Sequence, residues 1–117
     1  MLFRDLCARL PYGVKCEYDN LRYGGVYKVT YIGYNGYIEG VIDNERGWAV
    51  FGLLELKPYL FPLSSMTEEQ EKEWRYTLSS DYNITYDTVD WLNKNHFDYR
   101  NLIDKNLAID CTNLNIY

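Results

Sequence analysis

"LKPYLFPLSSMTEEQEKEW", residues Leu56 to Trp74, decides how the chain divides. Its first half is proline and aromatic, its second half glutamate. Lys57 precedes a proline, which favours an extended backbone there. Pro58 and Pro62 lack an amide hydrogen, so neither suits a central strand. Tyr59, Leu60 and Phe61 between them are apolar, and the segment reads as a strap across an exposed end of a sheet. Ser64 and Ser65 are turn residues. Thr67 suits an N-cap, and Gln70 three residues on completes a capping box. Glu68, Glu69 and Glu71 then fall in the first turns, where the positive end of a helix stabilises them. Met66 stands where a hydrophobic staple begins. The stretch is a boundary, with a sheet before it and helices after it.

The pattern on the N-terminal side agrees. "LFRDLCARL" spaces Leu2, Leu6, Arg9 and Leu10 at helical intervals, with Phe3 and Cys7 adjoining, and "PYG" ends that helix. "VKCEYD" then alternates, Val14, Cys16 and Tyr18 on one face and Lys15, Glu17 and Asp19 on the other, as a half-buried strand does. "VYKVTYI" (26–32), "YIEGVID" (37–43) and "WAVFGLLEL" (48–56) continue as strands, separated by "NLRYGG", "GYNG" and "NERG". Gly40 reads as a bulge or a close contact. The fold class is α+β. A short N-terminal helix leads into a four- to five-stranded antiparallel meander over 14–57, an SH3-like small barrel or a twisted sheet. Two to three C-terminal helices follow over 67–105, all in a single domain, 1–117.

The first of those helices runs to about Ser79 with a thin apolar face, Trp74 and Leu78. Trp74 is expected to pin it to the β-module. "TYDTVDWLNKNHF" gives a second, capped by Thr85 or Asp87, with Val89, Leu92 and His96 on one face. "DYRNLIDKN" gives a short third, with Tyr99, Leu102 and Ile103 inward. "LAIDCTNLNIY" has no strong period and reads as a short strand or a tail.

Composition narrows the function. The chain has 117 residues, 47% hydrophobic and 25% charged, which argues for a packed globular protein rather than disorder. Its net charge is −5, and its cations are scattered, so binding to a phosphate backbone is disfavoured. The three cysteines, Cys7, Cys16 and Cys111, form no C-x-x-C pair, which predicts reduced thiols and no zinc site. Charges at Arg4, Asp5 and Arg9 interrupt any leader-like apolar run, and no stretch approaches the ~18 apolar residues of a membrane span. These readings predict a cytoplasmic protein. They also make the "NIT" sequon at Asn83 a chance match.

No residue pattern points to catalysis. His96, the single histidine, has Leu92 and Arg100 at i±4 and no nucleophile motif elsewhere, so it reads as a helix-end imidazole that packs and hydrogen-bonds locally, favoured there by the helix C-terminus. Asp81, Asn83 and Thr85 sit at the first three ligand positions of a calcium loop. Tyr86 and Leu92 occupy its glycine and bidentate-glutamate positions, which excludes the motif. Glu68, Glu69, Glu71 and Glu73 read as a solvated helix face rather than an acid/base pair. Cys16 alternates with core residues, and Cys7 and Cys111 lack the neighbouring cations of a reactive thiolate. Neither a catalytic residue, a metal nor a cofactor is expected.

The surplus is in tyrosine, 13 residues, beside three tryptophans and four phenylalanines. So many phenols do not all fit a core. Tyr23, Tyr27, Tyr31, Tyr34 and Tyr37 lie on or beside the turns of the sheet, where they read as barrel-edge packing or as a recognition face.

"LKPYLFPLSSMTEEQEKEW", "TVDWLNKNHFDYRNLIDKNLAI" and the N-terminal "DLCARLPYGVK" resemble a family of small uncharacterised proteins from gut Bacteroidales, their phages and mobile elements. The tail "DCTNLNIY" departs from that family's ending. The resemblance implies an intracellular accessory protein, phage- or element-related, and carries no catalytic residue with it. Two functions fit. The first is a non-enzymatic protein that binds an unidentified protein partner through the aromatic loops or the helical surface, with self-association left open. The alternative is sequestration of a nucleotide-like ligand between tyrosine rings, with Arg22, Lys28 or Arg46 meeting phosphate. An enzyme of unknown class ranks third.

Overall fold

The computed structural model describes residues 2–18, 25–33, 38–42, 48–51 and 56–117. Helix α1, Leu2–Arg9, comes first, and a 3-10 turn over Leu10–Tyr12 ends at Gly13, whose φ of 70° a side chain would strain. The strands follow: β1, Lys15–Tyr18; β2, Gly25–Ile32; β3, Ile38–Ile42; β4, Trp48–Phe51; and β5, Leu56–Pro62. Then come α2, Glu68–Tyr76; α3, Tyr86–Lys94; and two short strands, β6, Phe97–Asp98, and β7, Ile109–Asp110.

The strand order is β4-β3-β2-β1-β5-β6, with β7 also on β5. Strands β1 to β4 are the antiparallel meander that the sequence predicts. Among the described residues β4 and β6 stand at opposite ends and do not pair, so the sheet is open rather than closed into an SH3-like barrel.

The proline strand departs from expectation. It is no strap: β5 runs inside the sheet, antiparallel to β1 and parallel to β6 and β7. It tolerates two prolines because its partners are staggered. Leu56, Lys57 and Pro58 face β1, so Pro58 closes that ladder opposite Cys16. Tyr59 and Leu60 face β7, and Phe61 and Pro62 face β6, so Pro62 ends the last ladder. Each proline stands at the end of a ladder, where a missing donor costs little.

The core lies on one face of the sheet. Leu2 and Leu6 of α1, with Leu102 and Ala108 from beyond α3, meet Val14, Cys16, Tyr27, Val29, Ile38, Leu56 and Leu60. Val14 and Cys16 are fully buried, as their alternation predicts. Each large apolar side chain so buried contributes roughly 1.5–3 kcal/mol.

The predicted capping box forms on α2, and α3 has one as well. Thr67 Oγ1 accepts from Gln70 N at 3.1 Å while Thr67 N donates to Gln70 Oε1 at 2.9 Å. Thr85, not Asp87, caps α3, in reciprocal bonds with Thr88. The predicted third helix is absent. Asp98 receives Leu102 N and Ile103 N, each at 2.9 Å, and Asn101 and Asn106 adopt left-handed φ of 61° and 59°. A carboxylate that takes up backbone donors and two asparagines that tolerate positive φ make a chain of turns instead. Leu102 is buried and Ile103 packs on the core, as expected, but from turns.

No helix among the described residues is long and apolar enough to cross a membrane.

Candidate interaction surface

The tyrosines of the sheet do not assemble into one face among the described residues. Tyr27 is a correction: it is 3% exposed, its ring edge-on to Tyr18, 6.0 Å between centroids, in the core. Tyr31 is 52% exposed. Strict alternation would have put it inward with Tyr27 and Val29. A bulge intervenes: Val29 pairs with Gly40 and Tyr31 with Glu39, so β2 gains a residue at Thr30 and Tyr31 turns outward. The irregularity expected at Gly40 is therefore on the opposing strand. Lys28 is half-buried, with its stem near Gly13. Tyr23, Tyr34, Tyr37, Arg22 and Arg46 lie outside the described residues.

The exposed aromatics are elsewhere, at the junction of α2 and α3. Tyr76 is 90% exposed, Tyr82 84%, Tyr86 92% and Ile84 68%. Ile84, Thr85, Tyr86 and Val89 line a hollow of about 320 Å³. Such exposure in one short stretch is unlike the half-buried setting usual for tyrosine.

The segment that carries these side chains is held firmly. Ser79 N donates to Asn83 O, Asn83 N returns to Ser79 Oγ, and Tyr82 N bonds Ser79 O, all between 2.9 and 3.0 Å. Thr85 and Thr88 both donate their hydroxyls to Thr77 O, at 2.8 and 3.0 Å, so the start of α3 is tied to the end of α2. Trp91 Nε1 donates to Glu73 Oε2 at 3.3 Å between the same helices. Tyr82 occupies a left-handed φ of 60°, a conformation this closed loop imposes.

A second hollow, about 340 Å³, is lined by Leu63, Ser64, Met66, Glu71 and Trp74. Trp74 is only half-buried here, beside the turn that leaves β5, and α2 buries no residue fully. The Trp74 indole N–H is buried with no acceptor among the described residues.

The buried polar groups form a different assembly, which the sequence did not announce. Asp5 and Arg9, one turn apart on α1, make a fully buried ion pair of 2.8 Å. Arg9 Nη2 donates to Phe97 O at 2.5 Å, and the guanidinium lies 5.4 Å from the Tyr99 ring centre. Arg100 Nε stands 3.3 Å from Asp5 Oδ1, and Tyr99 donates its hydroxyl to Asn93 Oδ1 at 2.9 Å. The signals available were the place of Arg9 at helical intervals with Leu2 and Leu6 and its i, i+4 spacing from Asp5, the second of which reads equally well as a surface pair.

His96 borders this assembly. It is buried, with φ 62°, and its ring lies flat against Tyr117, centroids 3.6 Å apart. Burial, then the nearby Arg9 and Lys15 charges, push its pKa down to about 4. The helix-end imidazole expected from sequence does pack, against Tyr117, and burial holds it neutral. Tyr117 leaves part of its ring in solvent, but its hydroxyl accepts from Lys15 N and donates to Tyr59 O, each at 2.9 Å, and burial raises its pKa. Burial also raises the Cys16 thiol, and that of Cys111 to about 11, so both stay protonated. Among the described residues no three His, Cys, Asp or Glu side chains come together as a metal site.

Comparison with protein-family models, with curated proteins and with solved structures returned no match.

Proposed function

We propose that the protein is a non-enzymatic binding module that engages another protein through the α2–α3 junction. The observation that carries this is the set Tyr76, Tyr82, Ile84 and Tyr86, all largely in solvent on a segment fixed by backbone and threonine hydrogen bonds. Exposed apolar groups cost solubility, and tyrosine supplies contact area with little rotamer entropy to lose. A rigid presenting segment reduces the ordering cost of association further. An accessory role of this kind fits the family resemblance described for the sequence. The nucleotide alternative draws less support, because Tyr27, one of its rings, is in the core.

Photocrosslinking tests the proposal. A benzophenone side chain placed at position 82 or 86 of the full chain, in its native cells, should give discrete protein adducts. The same group at position 31, on the sheet, should give far fewer. Adducts at 31 but not at 82 or 86 would move the surface to the sheet, and none at any of the three would count against a binding module.

A further inference from the structure

The surface has a charge as well as a shape. From Tyr76 to Asn93 the chain carries three carboxylates, Asp81, Asp87 and Asp90, against flanking cations at Arg75, which pairs with Glu71, and Lys94, one turn beyond Asp90. All three are exposed, and among the described residues none takes part in an ion pair. Asp87 lies in the first turn of α3, where the positive helix end offsets part of its charge. Asp81 precedes that helix and Asp90 lies a turn into it, so neither has that compensation.

Their placement relative to the aromatics is specific. Tyr86, Val89 and Asp90 stand at i, i+3 and i+4 on α3, which puts the Tyr86 ring and the Asp90 carboxylate on one face, roughly 5–6 Å apart at Cβ. Val89 and Ile84 line the hollow beside them. An arginine guanidinium is planar: it stacks on an aromatic face while its edge donates to a carboxylate. Apolar hollow, ring and carboxylate in sequence match an apolar side chain followed by an arginine.

Resting on the reading of this junction as a binding surface, we infer that its occupant is a basic segment of a partner protein. An apolar side chain enters the hollow of Ile84 and Val89, and a neighbouring arginine lies on Tyr86 against Asp90. A second copy of this chain is a poor occupant. Symmetric docking would set three carboxylates against three on chains of net charge −5, and like charges brought face to face oppose association.

Selection from an unbiased peptide library displayed on yeast, with the intact chain as target and an Ile84→Ser/Tyr86→Ser variant as counter-target, tests this. Peptides enriched on the intact chain alone should combine an apolar residue with arginine. The best of them, made synthetically and titrated calorimetrically, should bind about tenfold more weakly to Asp81→Asn/Asp87→Asn/Asp90→Asn, as expected for lost charge complementarity. It should weaken comparably between about 50 and 300 mM salt. Enriched peptides that need Ile84 and Tyr86 but are neutral or acidic, and bind the asparagine variant equally well, would overturn the basic partner and leave the binding surface standing. No peptide that depends on Ile84 and Tyr86 would overturn the surface itself, and the inference with it.

Discussion

Arg9 Nη2 meets the carbonyl oxygen of Phe97 at 2.5 Å, joining the first helix to a strand 88 residues away. Asp5 makes that contact tolerable by neutralising a guanidinium that has no solvent around it. Asp5→Ala would leave Arg9, and beside it Arg100, without their counter-charge. The expected cost is about 3–5 kcal/mol in a urea titration, the usual penalty for breaking a buried pair from one side. The double replacement Asp5→Leu/Arg9→Met should cost less than Asp5→Ala alone, because the fully buried charge is gone and Arg100, the one left unpaired, is partly in solvent. A single variant within about 1 kcal/mol of the parent would mean that water reaches the site.

His96 makes stability depend on pH in a defined direction. Its folded pKa is about 4, below the ordinary 6.5. Between those values the unfolded chain takes up a proton that the folded chain refuses. The contribution is therefore complete above about pH 6.5 and is lost as pH falls towards 4, amounting to about 3 kcal/mol. Denaturation midpoints measured from pH 7 to 5 should fall for the parent and stay flatter for His96→Asn, which keeps a residue tolerant of positive φ. Parallel profiles for the two proteins would show that His96 titrates normally.

Trp74 separates packing from hydrogen bonding. Its ring is half-buried beside Leu63 and Met66, so Trp74→Ala should cost about 2 kcal/mol, less than the ~3–5 of a fully buried tryptophan. Trp74→Phe keeps much of the ring and removes an N–H that is buried with no acceptor among the described residues. It should cost under about 1 kcal/mol, since deleting an unsatisfied donor recovers its desolvation. Thermal melts of the two variants check this, and a phenylalanine variant as unstable as the alanine one would show that the indole N–H has a partner in solution.

Local rules located α1, the meander, the Thr67–Gln70 capping box and the burial of Val14 and Cys16, because each rests on neighbours in the chain, and they left the cap of α3 between Thr85 and Asp87. The interior position of β5 was hidden, since proline's missing donor matters only once its partners are known, and these come from residues 15–18, 97–98 and 109–110. The third helix failed because Asp98 bonds the backbone four and five residues ahead. At the sheet, one extra residue at Thr30 turned Tyr31 outward, while Tyr27, before the bulge, stayed in the core. Tyr76, Tyr82 and Tyr86 gave no sign, because nothing in their spacing says that α2 and α3 pack through Thr77, Thr85 and Thr88 and leave the rings outside.

The central claim is that these rings face a partner and do not hold the fold. The most direct measurement is a single preparation of the Tyr76→Ser/Ile84→Ser/Tyr86→Ser variant, read for thermal midpoint and for crosslinking through a benzophenone at position 82. The account predicts an unchanged midpoint, since the three replaced side chains stand largely in solvent, with loss of the protein adducts that the parent forms. A lowered midpoint with the adducts retained would contradict it and would return these residues to the packing of the two helices.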